Sequence, residues 1–405
     1  VKKEDDIIIK NANQILTIQA NELGIIENGT IVIKNGKIDA VGKDSQVRIP
    51  HSKFRIIDAT GCVVMPGFVD CHTHLVFAGD RANEFALRLA GKTYKAIQKA
   101  GGGIMATVHQ TRKATEEELY QLARKRIDSV IEWGTTTIEI KSGYGLDTKQ
   151  ELKILRVIKR LQEDDKITII PTFLGAHSIP TGKKKRDYIN EITQKMIPSV
   201  AKQKLARFCD VFCENFVFNA QEAKEILQCG KEYGLIPKIH ADEIEQSGGA
   251  CVAGEVGAIS AEHLLYPSSI GLKKMKENNV TAVLLPTTSL FLQSKDRPPI
   301  EAMRKLGLRI ALGSDFNPGT SMIYQMPIVI ALACLLYRLT IPEALIGATL
   351  NAAGSLGLAD KIGSLSVGKQ ADIIILDIPN YQHIPYQFGR NFIKTVIRKG
   401  KILKS

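Results

Sequence analysis

Thr135-Thr136-Thr137-Ile138-Glu139-Ile140-Lys141 is a short β-branched run, and an amphipathic stretch over residues 149–162 follows it. A second β run, Ile167-Thr168-Ile169-Ile170-Pro171-Thr172-Phe173-Leu174, comes next. A strand, a helical return and another strand form a crossover unit that lays the two strands parallel. The texture continues in both directions between about residues 65 and 360. Strand-like runs fall at 67–72, 135–141, 167–174, 210–216, 237–240, 258–263, 281–285 and 309–313, with helical stretches such as 116–132 and 220–233 between them. Eight parallel strands, each with a helical return, predict an α/β fold built on a closed (β/α)8 barrel.

The flanks read differently. Strand-like runs at 6–10, 29–34, 37–41 and 54–58 are broken by Asn35-Gly36, a strong hairpin signal. Runs at 372–376 and 392–402 repeat that texture, with Gly400 at a turn. Neither flank completes a sheet alone, so the two are expected to meet in one small composite β-sandwich domain. The expected division is 1–64 and 361–405 for that domain and 65–360 for the barrel.

Composition narrows the class. The 405 residues are 44% hydrophobic and 24% charged, which excludes a disordered tail, a collagen-like repeat and a disulfide-dense mini-protein. Apolar runs such as 328–336 fall far short of the ~20 residues of a spanning helix, so no membrane partner is expected. The formal charge is +12, but the one dense basic run is 183–186 and the rest is scattered. Scatter implies a solvated surface rather than a nucleic-acid face, and leaves small anionic substrates compatible. Seven cysteines, an odd number without a paired framework, and an N-terminus without signal-peptide pattern lead us to expect a reduced, cytoplasmic protein.

Five of the eight histidines, His72, His74, His177, His240 and His263, fall at or just past the C-terminal ends of the expected barrel strands. That face is where barrels build active sites. His51, His109 and His383 lie elsewhere and read as incidental. In Val69-Asp70-Cys71-His72-Thr73-His74 the two imidazoles are i, i+2 on a strand and share one face, so both reach one metal. His240 on the fifth strand is placed as a third nitrogen ligand, with Glu243 in the loop above it to carry protons. His263 on the sixth is a candidate for polarising substrate. Asp315, after the apolar run ending at Gly313, is placed to ligate and to accept a proton. Alone, each has a plainer reading: a buried strand histidine, a solvated loop acid, an Asx turn. Their agreement in strand position favours a site of three histidines and one aspartate on zinc or a similar divalent ion, which brings a water's pKa near 7. Barrel hydrolases with two metals generally bridge them through a lysine on the fourth strand. That strand has none and Lys141 ends the second, so one metal is expected.

The motifs Met65-Pro66-Gly67-Phe68-Val69-Asp70-Cys71-His72-Thr73-His74, His240-Ala241-Asp242-Glu243, Gly313-Ser314-Asp315-Phe316-Asn317-Pro318-Gly319 and the closing segment 363–372 resemble the amidohydrolase superfamily. More narrowly, the chain is similar to the family of hydrolases that open 4-imidazolone-5-propanoate in histidine degradation. The similarity runs nearly end to end. It is carried most specifically by Phe77-Ala78-Gly79-Asp80-Arg81, Ala100-Gly101-Gly102-Gly103-Ile104, Lys141-Ser142-Gly143-Tyr144-Gly145-Leu146-Asp147, Gly175-Ala176-His177 and Val211-Phe212-Cys213-Glu214. The resemblance implies one Zn(2+) or Fe(3+)/Fe(2+) per chain on His72, His74, His240 and Asp315. It also implies substrate or product contacts at Arg81, Tyr144, His177, Glu243, Asn317, Gly319 and Thr320, none of which is substituted.

The implied substrate is a flat cyclic amide with a carboxylate arm. Arg81 offers that arm a planar fork, with Tyr144 beside it and Tyr94 as a weaker candidate. Attack of activated water on the ring carbonyl and departure of the ring nitrogen would give N-formimino-L-glutamate. Glu243, His263 and Asp315 are the catalytic candidates, and which of them moves which proton stays open. A cytosine- or guanine-type deaminase shares the histidine and aspartate set, but an uncharged base does not call for Arg81. A non-catalytic interaction protein on the same barrel would not need all four ligands. A homodimer is the default expectation for the assembly.

Overall fold

The computed structural model describes residues 6–19, 22–48, 54–92 and 102–405. One of its two sheets is mixed. From the N-terminal side come β1 (Asp6–Leu16), β2 (Ile25–Lys34), β3 (Lys37–Lys43), β4 (Phe54–Asp58) and β5 (Val63–Pro66). The parallel sheet follows with β6 (Phe68–Asp70), β7 (Thr135–Lys141), β8 (Thr168–Ala176), β9 (Phe208–Cys213), β10 (Ile236–Ala241), β11 (Ser260–His263), β12 (Thr281–Leu284) and β13 (Ile310–Leu312). The chain then returns to the mixed sheet with β14 (Ile373–Leu376), β15 (Ile393–Arg398) and β16 (Lys401–Lys404).

In the mixed sheet the order is β16-β15-β14-β5-β1-β2-β3, and β4 pairs with β1. The two ends of the chain thus share one sheet, as their matching textures suggested. Segment 363–372 threads the junction: Leu365 donates to the Thr17 carbonyl (2.7 Å), Gly368 to Ile38 (2.8 Å) and Ala371 to Gly36 (2.9 Å). One face is closed by Ile7, Ile9, Ile31, Ile33, Ile373 and Ile375, all buried. The run 392–402 proves to be two strands, turning at Lys399-Gly400, where Gly400 has φ +76°.

β6 to β13 lie in sequential order, every neighbouring pair parallel, which is the eight-stranded barrel read from the sequence. The seam between β13 and β6 closes just beyond the strands. Asp315 N–H donates to the His72 carbonyl and His74 N–H to the Phe316 carbonyl, both at 2.9 Å. The residues that close the barrel are therefore the ones expected to ligate. Pro171 does not punctuate a loop as a proline commonly does. It sits inside β8, where its carbonyl accepts from Arg207 N–H (2.9 Å) and the missing donor is not called on.

Helices return along the outside. The helix Ala220–Glu232 starts with a capping box, Asn219 accepting from Glu222 N–H (3.0 Å) while Glu222 accepts from Asn219 N–H (2.9 Å). It buries Ala223, Ile226 and Leu227. No helix among the described residues is long and apolar enough to cross a membrane.

Candidate active site

Barrel interiors usually fill with branched apolar layers. Here the interior carries charge: Glu139, Lys141, Asp210, Lys238 and Glu262 are all fully buried. Lys141 Nζ lies 2.7 Å from Glu139 and 2.8 Å from Asp210, and Lys238 Nζ lies 3.2 Å from Glu262. Burial opposes the ammonium form of Lys141, but Asp210, Glu139 and Glu262 together outweigh it and push its pKa up. Above this layer Asp210 Oδ2 stands 3.1 Å from His240 Nδ1. That carboxylate fixes the ring and leaves Nε2 turned to the other side. His240 Nε2 is buried and has no hydrogen-bond partner among the described residues.

Around that nitrogen the expected ligands gather. His72, His74 and His240 each offer a ring nitrogen within 4.8 Å of the others. Asp315 Oδ1 is 3.4 Å from His72 Nε2 and 3.5 Å from His74 Nε2, while its Oδ2 accepts from Thr288 at 2.6 Å. His72 Nε2 also lacks a partner among the described residues. Burial, with Lys141 adding to it at His72, holds both His72 and His74 well below the usual imidazole range. Neutral, unpaired, convergent nitrogens beside a carboxylate are what a divalent ion requires, so these residues fit a metal cofactor. The local backbone is shaped for it: Asp315 (φ 50°) and His263 (φ 70°) are left-handed, an unfavourable state held by the surrounding bonds.

The expected proton carriers, Glu243 and His263, lie beside this cluster. Glu243 Oε2 is 3.4 Å from His263 Nε2. Burial first, then the charges of Asp315 and Glu214, raise the Glu243 carboxyl well above its usual range. Burial lowers His263, and the neighbouring His240 adds to that. Glu214 positions the loop, its Oε1 accepting from Glu243 N–H (2.7 Å) and Ile244 N–H (3.0 Å). Glu214 was expected only as part of the motif 211–214, with no role of its own.

A cavity of about 590 Å³ opens over the cluster, lined among others by His74, Arg81, Tyr144, His177, Glu243, His263, Asp315, Asn317 and Thr320. His177 Nδ1 faces the Gly143 carbonyl at 3.1 Å and its ring stacks on His74, centroids 4.9 Å apart. Gly143 has φ +116°, and a Cβ there would come within 2.8 Å of that nitrogen, so only glycine allows the arrangement. Asn317 Oδ1 accepts from the N–H groups of Gly319 and Thr320 at 2.8 Å, tying them to the aspartate loop. The expected site residues that are described therefore fall at one barrel mouth. Tyr94, Ala100, Gly101 and His51 lie outside the described residues. Glu84 and Arg88, which also line the cavity, were not expected there. Their signal was the spacing of Arg81, Glu84 and Arg88 at i, i+3 and i+7, one face of a helix.

Comparison with known proteins agrees with this geometry. The model of the amidohydrolase family matches residues 63–403. An imidazolonepropionase of Clostridium tetani is 45% identical, over 99% of each chain. One of Geobacillus thermodenitrificans is 46% identical, over 98% of this chain and 97% of its own. Among solved structures, a zinc-bound adenosine deaminase of Xanthomonas campestris superposes with a TM-score of 0.73 at 19% identity, covering 98% of this chain and 92% of its own. A zinc complex of atrazine chlorohydrolase from Arthrobacter aurescens gives 0.72 at 17%, covering 98% and 95%. At such identities the structures speak for the fold, whereas the full-length sequence relatives speak for the family. The chain belongs to the amidohydrolase family and, within it, to the imidazolonepropionases.

Proposed function

We propose that the chain hydrolyses 4-imidazolone-5-propanoate to N-formimino-L-glutamate, a step of histidine degradation, with one zinc or iron ion on His72, His74, His240 and Asp315. The observation that carries the reading is that Arg81 lines the same cavity as His74, His240 and Asp315, with His72 buried directly behind them, a match for a ring amide with a carboxylate arm. When bound, the ion supplies the Lewis acidity that makes a water nucleophilic at neutral pH. Everything else falls to the protein's own groups. Arg81 takes the carboxylate arm and Tyr144, kept as a neutral phenol by burial, donates beside it. His177 bonds the ring, with Asn317, Gly319 and Thr320 shaping the pocket around the arm. As water adds to the ring carbonyl, Asp315 takes its proton and His263 donates to the oxygen that gains charge. Glu243, whose carboxyl pKa burial raises, hands a proton to the ring nitrogen as the C–N bond breaks.

Lys141 supports the single ion. It is saturated by Glu139 and Asp210, and carboxylating it would set three anions side by side. The cationic end of the cavity gives no reason to prefer an uncharged nucleobase, so the deaminase reading gains nothing here. Seven free thiols suit a reducing, cytoplasmic compartment. The deciding experiment is metal content of the purified protein together with the ultraviolet decay of freshly made imidazolonepropanoate. About one zinc or iron per chain with chelator-sensitive decay is the expected outcome. Metal without decay would refute the substrate.

A further inference from the structure

Arg81, Glu84 and Arg88, on and just before the helix Ala82–Leu89, form a compact ion group on the cavity wall. Glu84 is only 6% exposed. Its Oε2 accepts from Arg81 Nε (2.8 Å) and from Gly103 N–H (2.7 Å), and its Oε1 accepts from Arg88 Nη2 (3.0 Å) and Arg81 Nη2. Arg88 Nη2 also donates to the Gly319 carbonyl at 3.1 Å. Two guanidiniums around one carboxylate leave the group with a net charge of +1.

The arrangement changes how a carboxylate ligand is held. The Nε–Nη2 edge of Arg81, the usual fork for a carboxylate, is already filled by Glu84. None of these bonds uses Arg81 Nη1, and a Cβ on Gly319 would collide with that atom, so only glycine lets the guanidinium pack there. Arg88 Nη1 is buried and has no hydrogen-bond partner among the described residues, an expensive state for a charged donor. Both arginines line the cavity, so the group turns its net positive charge toward a carboxylate bound there.

We propose that Arg88 is a second residue binding the substrate's carboxylate, alongside Arg81. Glu84 is the positioning residue that holds both guanidiniums together and sets the group to accept one negative charge. The inference deepens the function proposed above and rests on its assignment of Arg81 to the carboxylate arm.

The test compares the natural substrate with its uncharged propanamide analogue on metal-loaded wild type, R81Q and R88Q. The readout is the ratio of kcat/KM for acid over amide, which a merely structural lesion lowers in neither direction because it harms both substrates alike. For R88Q the ratio should fall about ten- to a hundredfold, chiefly through KM for the acid, the size expected for a lost charge-assisted bond. Equal loss on both substrates, or none, would overturn the role of Arg88. A ratio that collapses in R81Q but not in R88Q refutes Arg88 alone. A ratio unmoved in both refutes the parent assignment of Arg81 as well. Should R88Q fail to fold by thermal melting, R88K decides. Its ammonium lacks the planar fork that lets one arginine hold Glu84 with one nitrogen and reach a ligand with another, so the ratio should drop about tenfold, and an unchanged ratio would sink the proposal.

Discussion

Glu243 and Asp210 show two ways a carboxylate serves one site. Glu243, 3.4 Å from His263, has its carboxyl pKa raised by burial and by the charges of Asp315 and Glu214, which suits the donor role proposed for it. The isosteric amide keeps the shape and loses the transferable proton. Glu243→Gln is expected to lower kcat by about 10²–10⁴ while metal content stays at the wild-type level, measured by steady-state kinetics and elemental analysis. A variant retaining most of its kcat would remove Glu243 from proton transfer. Asp210 is the opposite case. Burial alone would neutralise it, but His240 and Lys141 keep it ionised, with its pKa driven far down. Its task is to hold His240 by Nδ1, and such partners typically govern metal affinity by about 10–100-fold. Asp210→Asn is expected to weaken zinc binding by that factor in competition with a chromophoric chelator. Unaltered affinity would mean the strand alone orients His240.

At the scale of elements, the barrel was legible because each strand is a short Ile-, Val- or Thr-rich run and each return has helical texture, so two periodicities alternate. The site was legible because its histidines lie at strand ends, where barrel topology makes them converge. What escaped has physical causes. β1 extends to Leu16, well beyond the expected 6–10, because a bulge at Asn11 (φ 58°) breaks the alternation and resumes it after one residue. β5 was hidden in the apolar run leading into β6. Glu84 and Arg88 look like ordinary solvated helix charges until the fold turns them toward a cavity. The helices themselves carry stability that function does not need. At the capping box of Ala220–Glu232, Asn219→Ala removes the acceptor of the Glu222 N–H. A loss of about 1 kcal/mol is expected by urea denaturation, with kcat/KM unaltered. A change in kcat/KM would show that this outer helix reaches the site.

The molecule as a whole is organised around a tension between its two sheets. The mixed sheet has an aliphatic core, whereas the barrel places three carboxylates and two ammonium groups directly beneath its metal site. Buried charge is costly unless every ion is paired, and a buried pair contributes little stability over apolar packing of the same shape. The layer is therefore better understood as scaffolding for His240 than as a source of stability. It still exposes the fold to loss when one member goes. Lys141 is the member with most at stake: it touches Glu139 and Asp210, while Lys238 is 3.8 Å from Glu139 and does not contact Asp210. Lys141→Met is expected to cost about 3–5 kcal/mol of stability in the metal-loaded protein, since it strands two buried carboxylates. Zinc affinity should weaken in the same variant, because Asp210 loses the cation that fixes it against His240. Combining Lys141→Met with Asp210→Asn should recover part of the stability but not the affinity, since the stranded charge is removed while the anchor of His240 stays lost. Denaturation and chelator competition on the two variants read these quantities separately. If affinity returned along with stability, the charged layer would be a packing feature and His240 would owe its orientation to the barrel alone.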